Sequence, residues 1–342
     1  MSASSLHDRA LVIDTHTHAL GFIPQPFRSA YRFVNRTTMP SDEPFSVLRQ
    51  AGVDVVVVKA VGDPAVTRWY RGGAWTAVER QLDDAVAQIE RADGRVVRTA
   101  AEVRAAQGHG PAALLGVEGG DALDHDVDRV NQWAERGVRV VTIVHLADNQ
   151  IGTTCMPWQR YVAPAAIPVR RKVEEGLSPF GGRVVSSMND AGIVIDLAHA
   201  DTRTVFDVVE RTTAPVVATH SGARARQDFP RFLSDDEVRA IASTGGTVGL
   251  WPYNHRGKGV RDMADLVAHA RHVADLVGPD HLCVGTDMNG VPGLMAGYRG
   301  ETDLPLVTGA LLAAGFTDPD VEGILGLNFL RVLEACEHPN PS

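Results

Sequence analysis

Cysteine is scarce in this sequence. The chain of 342 residues has three cysteines, Cys155, Cys283 and Cys336, and no two of them form a CxxC pair. A disulfide framework needs more cysteines at closer spacing, and a thiolate zinc site normally uses such pairs. We therefore expect neither feature in this protein.

Long apolar runs and an excess of positive charge are also missing. No apolar run approaches the roughly 18 residues that a membrane-spanning helix needs. The first residues lack the basic-then-apolar order of a signal peptide. Lys and Arg number 33 against 42 for Asp and Glu, a net charge of −9, whereas a general nucleic-acid binder needs a basic surface. We expect a cytoplasmic protein with neither a membrane nor a nucleic-acid partner.

The chain does contain a regular alternation of apolar runs and amphipathic stretches. Hydrophobic residues make up 44% and charged residues 22% of the chain, which is ordinary for a globular protein. Near-continuous apolar, β-branched runs are typical of parallel strands buried on both faces. Eight such runs occur, at 10–13, 53–58, 113–117, 138–144, 193–197, 215–218, 247–250 and 282–285.

Segments with helical periodicity lie between these runs. They occur at 74–92, 126–136, 202–211, 234–243, 263–277, 304–314 and 319–335. Ser234 with Glu237 forms a capping-box pattern, and 189–192 is typical of a helix end. Doubly wound open sheets show the same alternation, but eight repeats favour one (β/α)8 TIM-like barrel over residues 1–342.

Histidines and carboxylates follow six of the eight predicted strands. In a barrel, the carboxyl ends of all strands lie on one rim, where the active site is built. These side chains should therefore converge, and chance does not explain their spacing well. They are His16 and His18 after strand one, Glu118 after strand three, His145 after strand four, His199 after strand five, His220 after strand six and Asp287 after strand eight.

Imidazoles and carboxylates together predict a divalent metal site, with zinc or a related ion. His16 and His18 are two residues apart, so both point to the same side of an extended chain. Glu118 is the carboxylate best placed to bridge two ions, with His199 and His220 on the second. Two ions about 3.5–4 Å apart can share and acidify one water.

The ordered motifs resemble the renal (membrane) dipeptidase family of zinc peptidases, within the amidohydrolase superfamily. The resemblance runs from about residue 10 to residue 335. The matching segments are Gly116-Val-Glu118-Gly-Gly120, Thr142-Ile-Val-His145, Gly176-Leu-Ser-Pro-Phe-Gly181, Gly192-Ile-Val-Ile-Asp-Leu-Ala-His199, Ala214-Pro-Val-Val-Ala-Thr-His220, Gly285-Thr-Asp287 and Asn328-Phe-Leu-Arg331.

The resemblance implies a role for each matching residue. His16 would ligate the first ion, Glu118 would bridge both, and His199 and His220 would ligate the second. Two roles are catalytic: Asp287 would exchange protons with the bridging water and the leaving amine, and His145 would contact the substrate carbonyl oxygen. Arg231, which alone could be a solvent-facing charge, would bind the terminal carboxylate of the substrate.

The sequence departs from the family pattern at several positions near the expected pocket. His18 stands where the family has Asp, which predicts weaker charge compensation, a more acidic bridging water and, as an alternative, a site with one ion. Phe232 replaces an Asn, and Met288-Asn289-Gly290 replaces a Phe-Asp-Gly pattern. Segment 20–45 is either a lid or a surface excursion. Trp251, Tyr253, Asn254 and His255 are candidates to shape the pocket.

These observations predict a zinc dipeptidase that cleaves a small dipeptide with a free C-terminal carboxylate. One alternative is a related hydrolase that acts on another small amide or a lactone. The other is a non-catalytic binding protein on a degenerate barrel, against which the retained histidines and carboxylates argue. The resemblance also implies a homodimer.

Overall fold

Eight parallel strands form the central sheet of the computed structural model, which describes residues 3–23, 29–30, 33, 43–161 and 175–337. Neighbours in the sheet follow chain order. The strands are β1 Ile13–Thr17, β2 Val55–Val61, β3 Ala112–Glu118, β4 Val138–Thr142, β5 Val194–Asp196, β6 Val216–Ser221, β7 Thr247–Leu250 and β8 Leu282–Val284.

The sheet closes between its first and last strands. The backbone N–H of Asp287 donates to the carbonyl of His16 at 2.8 Å, and that of His18 donates to Met288 at 3.0 Å. The expected (β/α)8 barrel is therefore confirmed.

Helices occupy most of the connections between strands. They are Ala3–Arg9, Pro64–Thr67, Gly73–Arg91, Ala100–Arg104, Arg129–Arg136, Trp158–Tyr161, Pro179–Asp190, Thr202–Arg211, Asp235–Ser243, Met263–Val277, Leu304–Ala313, Asp318–Glu322 and Asn328–Glu337. Short 3-10 turns lie at Leu20–Phe22, Pro44–Val47, Gly120–Leu123, Pro279–His281 and Glu301–Asp303. Minor strands are Arg95–Val96, beside β3, and the hairpin Asn254–His255 with Lys258–Gly259.

Local capping explains several helix boundaries. Ser234 and Glu237 form the predicted capping box at the start of Asp235–Ser243. The helix predicted from 126 begins only at Arg129, because Asp126 accepts a hydrogen bond from the Asp128 backbone in a turn. The helix predicted over 319–335 is interrupted by a π-helical turn at Gly323–Leu327.

Three strands extend further than their apolar runs predict. The first run was expected at 10–13, but β1 spans Ile13–Thr17 and includes His16. Glu118 likewise ends β3, and His220 lies inside β6. The reason is that the polar residues continue the strand ladder into a buried polar rim, which hydrophobicity alone does not mark.

Segment 20–45, considered as a lid, lies mostly outside the described residues. At its described ends, Leu20 and Phe45 are buried. Of the helices in the part of the chain that the structure describes, none is long and apolar enough to cross a membrane.

Candidate metal centre

Glu118 lies at the centre of a cluster of imidazoles. Its Oε1 is 3.3 Å from His16 Nε2, 3.2 Å from His199 Nε2 and 3.8 Å from His220 Nε2. Its Oε2 is 3.2 Å from His18 Nε2 and 3.4 Å from His145 Nε2. The barrel rim thus brings together all five predicted histidines around one buried carboxylate.

Asp287, which follows the end of β8, completes the cluster. Its Oδ1 is 3.4 Å from His18 Nε2 and 3.8 Å from His16 Nε2, and its Oδ2 is 3.8 Å from His220 Nε2. The backbone of Asp287 has φ +56°, a left-handed conformation that Asp and Asn tolerate better than most residues. Such conformations are common where a side chain must be aimed into a site.

Two backbone irregularities coincide with the cluster. The register between β1 and β2 shifts between Asp14 and Thr17, and that between β6 and β7 shifts between Ala218 and Ser221. Bulges of this kind redirect side chains at the rim of a barrel. His16 and His220 each lie inside one of these shifts.

The side chains present fit a divalent cation. Within the described residues, Glu118 Oε1 is buried and has no hydrogen-bond partner, although burying an unsatisfied carboxylate oxygen is costly. The Nε2 atoms of His16 and His18 are 3.3 Å apart, and those of His199 and His220 are 3.1 Å apart. Imidazole nitrogens that lie this close together beside a carboxylate are the arrangement that a bound zinc-type ion satisfies.

Three overlapping ligand groups are close enough to hold an ion. In each group the potential ligand atoms lie within 4.8 Å of one another. The groups are His16, Glu118 and His220; His16, His18 and Asp287; and Glu118, His145 and His199.

The charges within the cluster are strongly coupled. Burial alone would raise the pKa of Glu118, but His145 and His16 hold it well below its usual range. Burial likewise opposes charge on His18, yet its hydrogen bonds to Asp287 and Glu118 outweigh burial and raise its pKa to about 10. Burial, with Arg231 nearby, lowers the pKa of His199 and His220. A cation that binds through His18 must therefore displace a proton.

His145 is held by a residue that the sequence analysis missed. Its Nδ1 is 2.5 Å from Asp63 Oδ2, and Asp63 is fully buried at the start of helix Pro64–Thr67, which it caps. Burial alone would lower the pKa of His145, but the negative charges of Glu118 and Asp63 outweigh the effect of burial. The pKa of His145 is therefore raised. This pairing directs His145 Nε2 toward Glu118.

Arg231 is 1% exposed, so the alternative of a solvent-facing charge is wrong. Its Nη2 donates to the carbonyl of Ala198 at 3.0 Å and lies 2.9 Å from His220 Nε2. Its guanidinium lies 4.7 Å from the centroid of Trp251, which stacks on Tyr253. The arginine is therefore fixed at the edge of the imidazole cluster.

Of the other departures from the family pattern, Phe232 lies away from the cluster, whereas the segment 288–290 lies beside His18 and Asp287. Phe232 is buried against Phe229 and His269, with ring centroids 5.2 and 4.8 Å apart. Asn254, which was a candidate to shape the pocket, donates to the carbonyl of Val260 next to its hairpin. Asn289, in contrast, donates to the carbonyl of His18 at 2.9 Å.

A buried ion pair beneath the centre was also missed. Lys59 Nζ on β2 donates to Asp196 Oδ2 on β5 at 2.5 Å and to Thr142 Oγ1 on β4 at 2.6 Å. The Lys59 carbonyl lies 3.0 Å from His18 Nδ1. The available signal was a single charge inside the apolar run Val55–Val61.

Comparison with known families agrees with this geometry. The family model of the membrane dipeptidases, peptidase family M19, matches residues 1–341. The chain belongs to this family. The resemblance of the motifs is thereby confirmed.

Two curated relatives are dipeptidases by name. An uncharacterized dipeptidase of Schizosaccharomyces pombe is 29% identical over 231 residues, covering 66% of this chain and 53% of the relative. The dipeptidase tcpJ of Claviceps purpurea is 30% identical over 230 residues, covering 66% of this chain and 51% of the relative. The chain spans about half the length of these relatives.

Solved structures share the fold of this M19 family member. The probable dipeptidase PvdM from Pseudomonas aeruginosa has a TM-score of 0.80 at 21% identity, covering 99% of this chain and 98% of its own. A metallo peptidase from Rhodobacter sphaeroides, liganded with a phosphinate mimic of the dipeptide L-Ala-D-Ala, has a TM-score of 0.78 at 23% identity. The match covers 95% of this chain and 99% of the peptidase chain.

Proposed function

We propose that this chain is a zinc-dependent dipeptidase that hydrolyses the amide bond of a small dipeptide with a free C-terminal carboxylate. The observation that carries the proposal is the convergence of five imidazoles and Asp287 on the buried carboxylate of Glu118. Membership of the M19 family supports the reaction class.

Five residues would hold the metal. His16 and His18 would bind one ion, His199 and His220 the other, and Glu118 would bridge the two. When bound, the ions supply Lewis acidity and an acidified water at neutral pH. Because His18 is a neutral ligand in place of a carboxylate, the centre carries less negative charge than the family pattern.

Asp287 and His145 would move and stabilise charge during the reaction. Asp287 would take a proton from the attacking water and return it to the departing amine, since a base that is reset in each cycle must also act as an acid. His145, held at Nδ1 by Asp63, would contact the substrate carbonyl and stabilise the oxyanion that develops on it.

Arg231 would bind the terminal carboxylate of the substrate. A guanidinium can donate two parallel hydrogen bonds to a carboxylate. Because Arg231 is buried, such hydrogen bonds would be stronger than the same bonds in water. The ligand of the Rhodobacter sphaeroides neighbour, a dipeptide mimic, supports this substrate class.

The second candidate is hydrolysis of another small amide or a lactone. The observation that favours it is His18, which changes the charge of the centre itself.

Paired substrates distinguish the two candidates. We expect the zinc-loaded full chain to hydrolyse L-Ala-D-Ala or L-Ala-L-Ala far better than the same dipeptide with a C-terminal amide. The Arg231→Ala variant should raise KM for the free dipeptide by about 10- to 100-fold, because a charge-assisted hydrogen bond contributes about 1.5–3 kcal/mol, and should leave KM for the amide unchanged.

Arg224→Ala is the matched control, because Arg224 lies in the same connection but is partly exposed. Equal turnover of dipeptide and amide by the wild type, unaffected by Arg231→Ala, would contradict carboxylate recognition and favour the second candidate.

A further inference from the structure

One hydroxyl group contacts two imidazoles of the candidate metal centre at once. Thr219 Oγ1, on β6, lies 3.0 Å from His16 Nδ1 and 3.1 Å from His220 Nδ1. It also lies 2.7 Å from Asp196 Oδ2. All four residues are fully buried.

We propose that Thr219 is a positioning residue that fixes His16 and His220 with the proton on Nδ1 and the lone pair on Nε2, facing Glu118. The inference rests on the proposed function, since it takes these imidazoles as metal ligands. It adds a residue outside the ligand set that acts on one ligand of each ion.

The single proton of the Thr219 hydroxyl determines the direction of these hydrogen bonds. A hydroxyl donates once and accepts twice. Three groups surround it: the Asp196 carboxylate and two ring nitrogens. If its proton goes to Asp196, both ring nitrogens must donate to its lone pairs.

The surroundings of Asp196 show that its carboxylate is ionised. Oδ2 accepts from Lys59 Nζ at 2.5 Å and from Thr142 Oγ1 at 2.6 Å. Oδ1 accepts from the backbone N–H groups of Ala198 and Thr219, at 3.0 and 2.9 Å. An ionised carboxylate only accepts, and it is a stronger acceptor than a neutral imidazole nitrogen. The Thr219 hydroxyl therefore donates its single hydrogen bond to Asp196.

The contact of the other ring nitrogen of His220, Nε2, independently indicates the same tautomer. Arg231 Nη2 lies 2.9 Å from His220 Nε2, and a guanidinium can only donate. His220 Nε2 therefore presents a lone pair, which leaves the ring proton on Nδ1. This agrees with donation to Thr219.

The other imidazoles of the cluster are held by different groups. His18 Nδ1 faces the carbonyl of Lys59 at 3.0 Å. His199 Nδ1 is buried and has no hydrogen-bond partner among the described residues. Lys59 thus supports three imidazoles: His18 directly, and His16 and His220 through Asp196 and Thr219.

Zinc affinity tests the inference without depending on activity. Thr219→Val removes the hydroxyl but keeps the β-branched shape that suits a strand, whereas Thr219→Ser keeps the hydroxyl. We expect the valine variant of the full chain to bind zinc about 10- to 100-fold more weakly in chelator competition, as is typical when a group that orients a ligand is lost. The serine variant should bind as the wild type does.

Thr142→Val is the matched control, because it removes another buried hydroxyl that contacts Lys59 and Asp196 but no imidazole. It should retain most of the zinc affinity. Wild-type affinity in Thr219→Val, or an equal loss in Thr142→Val, would overturn the inference.

Nitrogen-15 NMR of histidine-labelled protein gives a direct readout. In the zinc-loaded wild type, we expect Nδ1–H protons on both His16 and His220, with faster exchange against water in Thr219→Val. A proton on Nε2 of either ring would overturn the inference. Since the wild-type spectrum needs no variant, it decides the question even if Thr219→Val does not fold.

Failure of the proposed function would be recognised separately. If the wild type bound no zinc, the proposed function would fail. The spectrum of His220 in the metal-free chain would still decide the inference: a proton on Nδ1 supports it, and a proton on Nε2 contradicts it.

Discussion

His18 is the residue that most changes the charge of the candidate centre. Its Nε2 lies 3.2 Å from Glu118 Oε2 and 3.4 Å from Asp287 Oδ1. With Asn289 and Lys59 holding its backbone and its Nδ1, the ring is well oriented to act as a neutral ligand.

We predict that His18→Ala lowers the zinc content of the reconstituted chain from two ions to one, because the first ion loses one of its own ligands while the second keeps His199 and His220. Elemental analysis after removal of loosely bound metal measures this ratio. His255→Ala, in the hairpin outside the cluster, serves as the control. Two ions retained in His18→Ala would show that His18 is not a ligand.

At the residue scale, the sequence identified the candidate metal ligands but not the residues that hold these ligands in place. His16, Glu118 and His220 follow apolar runs, so their convergence could be predicted from barrel topology. Asp63 and Thr219 could not be found in this way, because a carboxylate or hydroxyl near a helix start or inside a strand has common local roles. Their contacts with His145 and His16 join residues 82 and 203 positions apart.

The Lys59–Asp196 pair links elements across the barrel interior. Lys59 lies on β2 and Asp196 on β5, which are not neighbours in the sheet. Both side chains are fully buried, and Lys59 holds the pKa of Asp196 well below its usual range against the opposing effect of burial. The pair therefore keeps a charged carboxylate beneath the imidazoles.

We predict that Lys59→Met lowers the free energy of unfolding by about 3–5 kcal/mol, because it leaves the Asp196 charge buried without its partner. Urea denaturation of the metal-free chain measures this, with exposed Lys258→Met as the control. The double variant Lys59→Met/Asp196→Asn should recover part of the loss. If Lys59→Met were as stable as the wild type, the claim that an unpaired Asp196 charge destabilises the fold would be contradicted.

The elements themselves were predicted well where local signals were complete. Helices Thr202–Arg211 and Met263–Val277 match their predicted bounds, since caps and apolar periodicity agree there. Helix Pro179–Asp190 was predicted only at its end, although Ser178 caps its start. The ends of β1 and β6 were placed too early, because buried polar side chains interrupt the hydrophobic signal on which strand prediction depends.

Acid sensitivity of the whole molecule should arise in part away from the centre. His269, on helix Met263–Val277, is buried against Phe232 and accepts a hydrogen bond from the Ala223 backbone at 2.9 Å. Burial lowers its pKa to about 4. Its folded pKa is below the unfolded value of about 6.5, so its stabilising contribution is complete above that pH and is lost as the pH falls toward 4.

We predict that the wild type loses up to about 3 kcal/mol of unfolding free energy between about pH 6.5 and pH 4 through this residue. His269→Gln, which can still accept the Ala223 hydrogen bond, should lack that part of the pH dependence. Urea unfolding of the metal-free wild type and variant across this pH range tests it. Parallel pH profiles for the two proteins would contradict the assignment to His269.

The barrel as a whole could be predicted from the alternation of eight apolar runs with helical segments. Its closure places β8 beside β1, and this brings Asp287 to His16 and His18, which lie 271 and 269 positions earlier in the chain. The substitution of Phe232 for Asn was expected near the pocket, but the fold buries this ring against Phe229 and His269.

Hydrolysis of a panel of L-L and L-D dipeptides by the zinc-loaded full chain, compared with Asp287→Asn, tests the central claim most directly. Asn keeps the size of the side chain and tolerates the left-handed backbone at this position, but it cannot accept and return a proton. We predict cleavage by the wild type and a loss of about 10²- to 10⁴-fold in kcat in the variant, with zinc still bound. No cleavage by the zinc-loaded wild type, or equal cleavage by Asp287→Asn, would contradict the account.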